Sequence, residues 1–146
     1  MRLYNVYGKL VNKNVIKYKV DWDKPCRSKI QFNFKSFFKD YWSGHICYEE
    51  FPVFGSRLKV DLINFTRKIA VEVQGEQHNE FNKFFHNNSR DKYLESIQRD
   101  MKKIQWLEMN EFQVLELTKE DYETACDIKN LLEIKNVHFE NKDAVN

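Results

Sequence analysis

Only two prolines, four glycines and three cysteines occur in 146 residues, and each scarcity excludes something. Cys26, Cys47 and Cys126 are scattered, odd in number and without a C-x-x-C pair. That argues against a disulfide framework or a zinc site, and for a reducing, cytoplasmic compartment. The few glycines form neither a phosphate-binding loop nor a dinucleotide fingerprint. No apolar run approaches the ~18–20 residues that span a bilayer, so no membrane partner is expected. The opening "MRLYNVYGKL" lacks the apolar stretch of a secretory signal. Repeats and low-complexity segments are absent as well.

What is present is the material of a core. Hydrophobic residues make up 42% and aromatics 15%, with twelve Phe and seven Tyr. This suits one compact domain over 1–146, with a basic N-terminal hairpin (1–27), a core (28–134) and a frayed tail (135–146). The net charge of +2 hides an asymmetry: residues 1–39 carry ten Lys or Arg against two Asp, so the remainder is acidic overall. A basic front beside an acidic remainder suits an enzyme that binds a polyanion and holds a carboxylate site.

Alternation of apolar and polar residues on both sides of "NKN" predicts a β-hairpin turning near Asn12–Asn14. Ser28 is placed to cap a helix with Ile30, Phe34, Phe37, Phe38, Tyr41 and Trp42 on one face, stopped by Gly44. Three strands follow, within "HICYEEFPVF", "RLKVDLINF" and "KIAVEVQG", the last two joined by a tight turn near Thr66–Lys68. A polar, Asn-rich loop leads to a helix over 89–109 with Leu94, Ile97, Met101, Ile104 and Leu107 along one stripe. "FQVLEL" is a fourth core strand, and Thr118 with Asp121 forms a capping box for a last helix to about residue 134. The order is α–β–β–β–α–β behind a hairpin.

The chemistry lies in the strands. In "IAVEVQG", Val71 and Val73 face one side and Glu72 and Gln74 the other. A buried unpaired carboxylate costs several kcal/mol, so Glu72 needs a partner, a metal or water. The turn near Thr66–Lys68 brings Asp61 back beside Glu72. Two carboxylates with a backbone carbonyl make a hard oxygen site suited to Mg²⁺. A salt bridge from Glu72 to Lys59 or Arg57, with Asp61 capping a turn, is the competing reading.

"EEFPV", "VDLI" and "VEVQGEQH", followed by "QRDMKKIQWLEMNEFQVLEL", resemble in order the heart of the PD-(D/E)xK nuclease superfamily, in the form found around very-short-patch repair endonucleases. The resemblance covers residues 45–118. It implies an α/β (α+β) fold with a restriction-endonuclease-like αβββαβ core, a central mixed sheet flanked by helices, here extended by the N-terminal hairpin. It implies Asp61 as main metal ligand and Glu72 as the second, with Mg²⁺ or Mn²⁺ as cofactor. Gln74 stands where the superfamily usually has a Lys that orients or activates the attacking water. Gln orients water but supplies no positive charge. His78 matches a branch-specific His, and Asp100 the Asp of the long helix. Glu50 matches the Glu of the first strand; alternation sends its rival Glu49 to the opposite face. Two features depart from the pattern: "MNEF" replaces the Gly before the last strand, and the cysteines of a structural zinc site are missing.

The resemblance does not reach residues 1–44. There Lys13, Lys17, Lys19, Arg27 and Lys29 are candidate phosphate contacts, as are Lys102 and Lys103 on the long helix. The leading expectation is a Mg²⁺-dependent DNA endonuclease, whether nicking, structure-specific or homing-like. One site per chain cuts one strand, so cutting both requires a homodimer or two encounters. The alternative, kept open by Gln74, is an inactive nuclease fold used as a DNA-binding or assembly module.

Overall fold

The computed structural model describes residues 1–74 and 89–124. A short hairpin, β1 (Arg2–Tyr4) and β2 (Leu10–Asn12), precedes α1 (Lys29–Trp42), β3 (Cys47–Pro52), β4 (Lys59–Asn64) and β5 (Ile69–Gln74). Then come α2 (Ser89–Met109), β6 (Gln113–Thr118) and α3 (Lys119–Thr124). The four longer strands form one mixed sheet in the order β3-β4-β5-β6. β3, β4 and β5 are antiparallel neighbours and β6 runs parallel to β5. A parallel neighbour requires a crossover, and α2 lies within it. No helix among the described residues is long and apolar enough to cross a membrane.

Local chemistry sets the boundaries. Ser28 is extended and its hydroxyl accepts from the Gln31 amide, starting α1. Phe34, Phe38 and Trp42 recur at helical spacing and are buried, with the Phe38 and Trp42 rings stacked at 4.2 Å. The Asn64 side chain accepts from the Arg67 amide and closes the β4–β5 turn. At α3 the box forms as expected: the Thr118 amide donates to Asp121 at 2.8 Å, and the Asp121 amide donates to the Thr118 hydroxyl at 3.1 Å.

Two apolar layers enclose the sheet. On one face, Phe34, Phe38 and Trp42 meet Leu62, Val71 and Leu117. On the other, Phe51, Val60, Ile63 and Ala70 meet Trp106 and Leu107 of α2 and Leu3 of the hairpin.

Two expectations are corrected. The hairpin does not turn at Asn12–Asn14. β1 and β2 pair Arg2 with Asn12 and Tyr4 with Leu10, so the chain reverses over residues 5–9. The Asn5 carboxamide accepts from the Tyr7 and Lys9 amides, and Gly8 takes φ +81°. What was expected as the second strand contains a 3-10 turn, Ile16–Tyr18, and Lys19–Val20 then bonds along the outer edge of β3. The apolar stripe of α2 is also shorter than expected. Leu94 and Met101 are 45% and 53% exposed, whereas Trp106 and Leu107 are fully buried. A helix of 21 residues is about 30 Å long and outreaches strands of about 20 Å, so only its C-terminal turns pack tightly.

The turn into β6, built without glycine, places Glu111 at φ +67°. The Phe112 amide donates to the Leu107 carbonyl and the Glu111 amide to that of Glu108, a Schellman closure whose left-handed position favours glycine. Glu111→Gly is therefore expected to stabilise the protein by about 0.5–1 kcal/mol. Urea denaturation measures it; an unchanged or lower midpoint would contradict the strain.

Candidate active site

The sheet bends where its acidic residues lie. Along β3, Cys47 packs on the α1 side and Phe51 on the α2 side; along β4, Val60 packs on the α2 side and Leu62 on the α1 side. Strict alternation forbids both patterns. It fails at Glu50, which has φ +47°, and at Asp61 opposite it, between the pairs Glu49–Leu62 and Phe51–Val60. A non-glycine residue at positive φ within a strand is strained. Consequently Glu49 and Glu50 do not face opposite ways, contrary to expectation. Glu49 accepts from Lys35 of α1 at 2.7 Å and Glu50 from Gln31 of the same helix at 3.1 Å.

β4 and β5 part at the same level. Their ladder ends at Leu62–Val71, and side chains continue it. The Asp61 amide donates to the Glu72 carboxylate at 3.0 Å, and the Val73 amide donates to the Asp61 carboxylate at 2.9 Å. β5 remains in register with β6 up to Gln74–Thr118. Lys103 of α2 pairs with Glu72, so the candidate salt bridges from Lys59 or Arg57 give way to one from the long helix. Asp61 also lines a narrow cleft with Cys26, Gln31, Lys35, Glu49 and Val73.

The electrostatics follow from burial. Glu72 is 6% exposed. Desolvation first, and then the Asp61 charge, push its carboxyl up to about 7 against the opposing pull of Lys103. Asp61 is raised chiefly by burial and further by Glu50, while the Val73 amide and Lys103 hold it down. Burial also raises the Cys26 thiol; Lys35 opposes this and the Glu49, Glu50 and Asp61 charges add to it. Four carboxylates, Glu49, Glu50, Asp61 and Glu72, and the Cys26 thiol thus share one neighbourhood.

Of the residues singled out in the sequence, Asp61, Glu72 and Glu50 meet here. Gln74 is half-buried at the end of β5, and Asp100 is half-buried on α2, one turn before Lys103. His78 lies outside the described residues. Lys13, Lys17, Lys19, Arg27, Lys29 and Lys102 are exposed, whereas Lys103 is engaged by Glu72. Sequence reasoning missed Lys35, which is buried and also donates to the Lys24 carbonyl. A signal existed: Lys35 falls inside the Phe34–Phe38–Trp42 stripe, where a charge must have a partner.

Among the described residues no three of His, Cys, Asp and Glu are grouped to hold a metal ion. Asp61 and Glu72 supply two hard oxygen donors, and further ligands would have to be a carbonyl, water or phosphate oxygen. When both are ionised, the pair carries more negative charge than Lys103 alone offsets, an excess that a divalent cation would relieve.

In metal-free buffer this burial makes stability fall with rising pH. Glu72 keeps its proton up to about 7 when folded, against an ordinary 4.5. Between these values the folded chain binds the extra proton, so stability declines across that window, by about 3 kcal/mol, and Asp61 adds in the same direction. Denaturation in EDTA from pH 4.5 to 8 tests this. Glu72→Gln is expected to flatten most of the slope, and an equal slope in that variant would locate the titrating group elsewhere.

No family model, no curated protein and no solved structure matches the chain.

Proposed function

We propose that the chain is a metal-dependent DNA endonuclease with a restriction-endonuclease-like core. The observation that carries this reading is the placing of the Asp61 and Glu72 carboxylates side by side, each accepting a backbone amide across the gap where β4 leaves β5, with Glu50 beside them. Neither carboxylate is needed for a plain sheet, since backbone groups would close the ladder without a buried charge. The α–β–β–β–α–β order and the mixed sheet are compatible with that core.

In this reading Asp61 and Glu72 hold Mg²⁺ or Mn²⁺, which when bound supplies Lewis acidity and an activated water for attack on phosphorus. The chain's own groups supply the rest. Glu50 strengthens the local negative charge. Gln74, two residues beyond Glu72 on the same face, orients water by hydrogen bonding. Lys103 brings to Glu72 the positive charge that Gln74 lacks. Arg27 and Lys29 flank the N-cap of α1, where the helix dipole adds to their attraction for a phosphate.

A second reading, an inactive nuclease fold that binds DNA, is favoured by one feature: the Lys103 ammonium already neutralises Glu72.

Supercoiled plasmid and a branched oligonucleotide incubated with Mg²⁺ or Mn²⁺ separate the two. Wild type is expected to nick, and Asp61→Ala and Glu72→Ala to fall to the level of buffer while still binding DNA. Cleavage by Asp61→Ala at the wild-type rate would remove the assignment; salt-sensitive binding by wild type without cleavage would favour the second reading. Gln74→Lys is expected to change turnover and leave the melting temperature near that of wild type. Unfolding of that variant would make Gln74 a core hydrogen-bonding residue instead.

A further inference from the structure

The N-terminal twenty residues contain Arg2, Lys9, Lys13, Lys17 and Lys19 and no Asp or Glu. The hairpin they open with is firmly held. The Trp106 indole donates to the Tyr4 carbonyl at 2.6 Å, and Asn110 both accepts from the Tyr4 amide and donates to its carbonyl. The Val6 amide donates to the Phe54 carbonyl. Gly55, at φ +86°, lies so close beneath that a Cβ there would meet Val6 at 3.1 Å and Asn5 at 3.2 Å. The tip is fixed from within by the two bonds to the Asn5 carboxamide and by the Asn5 amide on the Lys9 carbonyl at 2.8 Å.

On this rigid tip Tyr7 is 81% exposed. A large aromatic held out in water by an ordered turn gains nothing for the core. The segment that carries it is cationic and has no carboxylate, so the surface is complementary to a polyanion. A ring at fixed position on a cationic hairpin suits stacking on a nucleobase while nearby phosphates are neutralised. Bases in a perfect duplex already have both faces stacked, so the ring favours unpaired ones. The hairpin packs on the α2 side of the sheet, the side from which Lys103 reaches Glu72.

We propose that the N-terminal hairpin is a binding site for unpaired DNA bases, with Tyr7 stacking on a base, Lys9 at the tip holding the adjoining phosphate and Arg2, at the open end of the hairpin, a more distant one. Unpaired or branched DNA is then the substrate class presented to the acidic site. The choice of DNA as polymer rests on the nuclease reading; the stacking site does not.

The test is binding of a labelled oligothymidylate, a three-way junction and a matched duplex by the full chain in EDTA, so that cleavage plays no part. Wild type is expected to prefer the oligothymidylate and the junction over the duplex. Tyr7→Ala is expected to lose about tenfold on the first two and little on the duplex, with an unchanged melting temperature. Tyr7→Trp is expected to retain the affinity and to show fluorescence quenching on binding beyond that of wild type. Equal affinities for Tyr7→Ala and wild type would overturn the proposal. So would binding to phosphatidylserine vesicles that depends on Tyr7 while oligonucleotide binding does not. Tyr7-dependent binding by a chain that never cleaves would sink the nuclease reading and leave this site standing; metal-dependent cleavage with no Tyr7 effect would do the reverse.

Discussion

Asp61 and Glu72 stand in for a strand ladder at the point where β4 separates from β5. Each carboxylate takes a backbone amide that regular pairing would have bonded to a carbonyl. The substitution lets the sheet open without orphaned amides, whose burial would be costly. It also fixes two acidic groups side by side, where burial raises both. The bend at Glu50, the change of side along β3 and β4, and the cleft beside Asp61 all lie at this level of the sheet.

Each of the two longer helices, α1 and α2, sends one lysine to this level. Lys35 of α1 pairs with Glu49, and Lys103 of α2 pairs with Glu72. Both side chains are largely buried, at 3% and 15% exposure. Glu49 is held further by the Asp21 amide at 2.6 Å, which ties the loop before α1 to β3. Glu49 therefore joins loop, helix and sheet, while Glu50 accepts from the neutral Gln31 carboxamide. The neighbouring glutamates differ in environment because the backbone kink falls between them.

Much of the fold was legible because its signals are local. Ser28, the Asn64 turn and the Thr118–Asp121 box each lie within four residues of the groups they bond, and α2 spans the expected 89–109. The hairpin was misread for a local reason too: "NKN" resembles a turn, yet the Asn5 carboxamide and Gly8 build a better one upstream. The kink at Glu50 and Asp61 was not legible. It depends on two strands lying opposite each other, and alternation within either strand alone assigns those side chains wrongly. The partners of Glu72 and Glu49 were hidden for a similar reason, since Lys103 lies 31 residues on and Lys35 lies 14 residues back, and only helix docking sets their register.

The cations therefore divide by burial, and this limits which of them can hold a phosphate. Drawing Lys35 or Lys103 away to DNA would strand a buried carboxylate, a change that costs about 3–5 kcal/mol when one member of a buried pair is removed. An exposed lysine gives up only water and counterions, and their release favours binding. Lys103, counted from sequence among the phosphate contacts, is thus better suited to balancing charge at Glu72. Phosphate binding falls to the exposed groups: Arg27 and Lys29 beside the start of α1, Lys102 on α2, and the lysines near the hairpin. For the proposed nuclease this separates two tasks. Buried lysines keep the acidic residues compatible with a folded core, and exposed ones bring the polyanion to them.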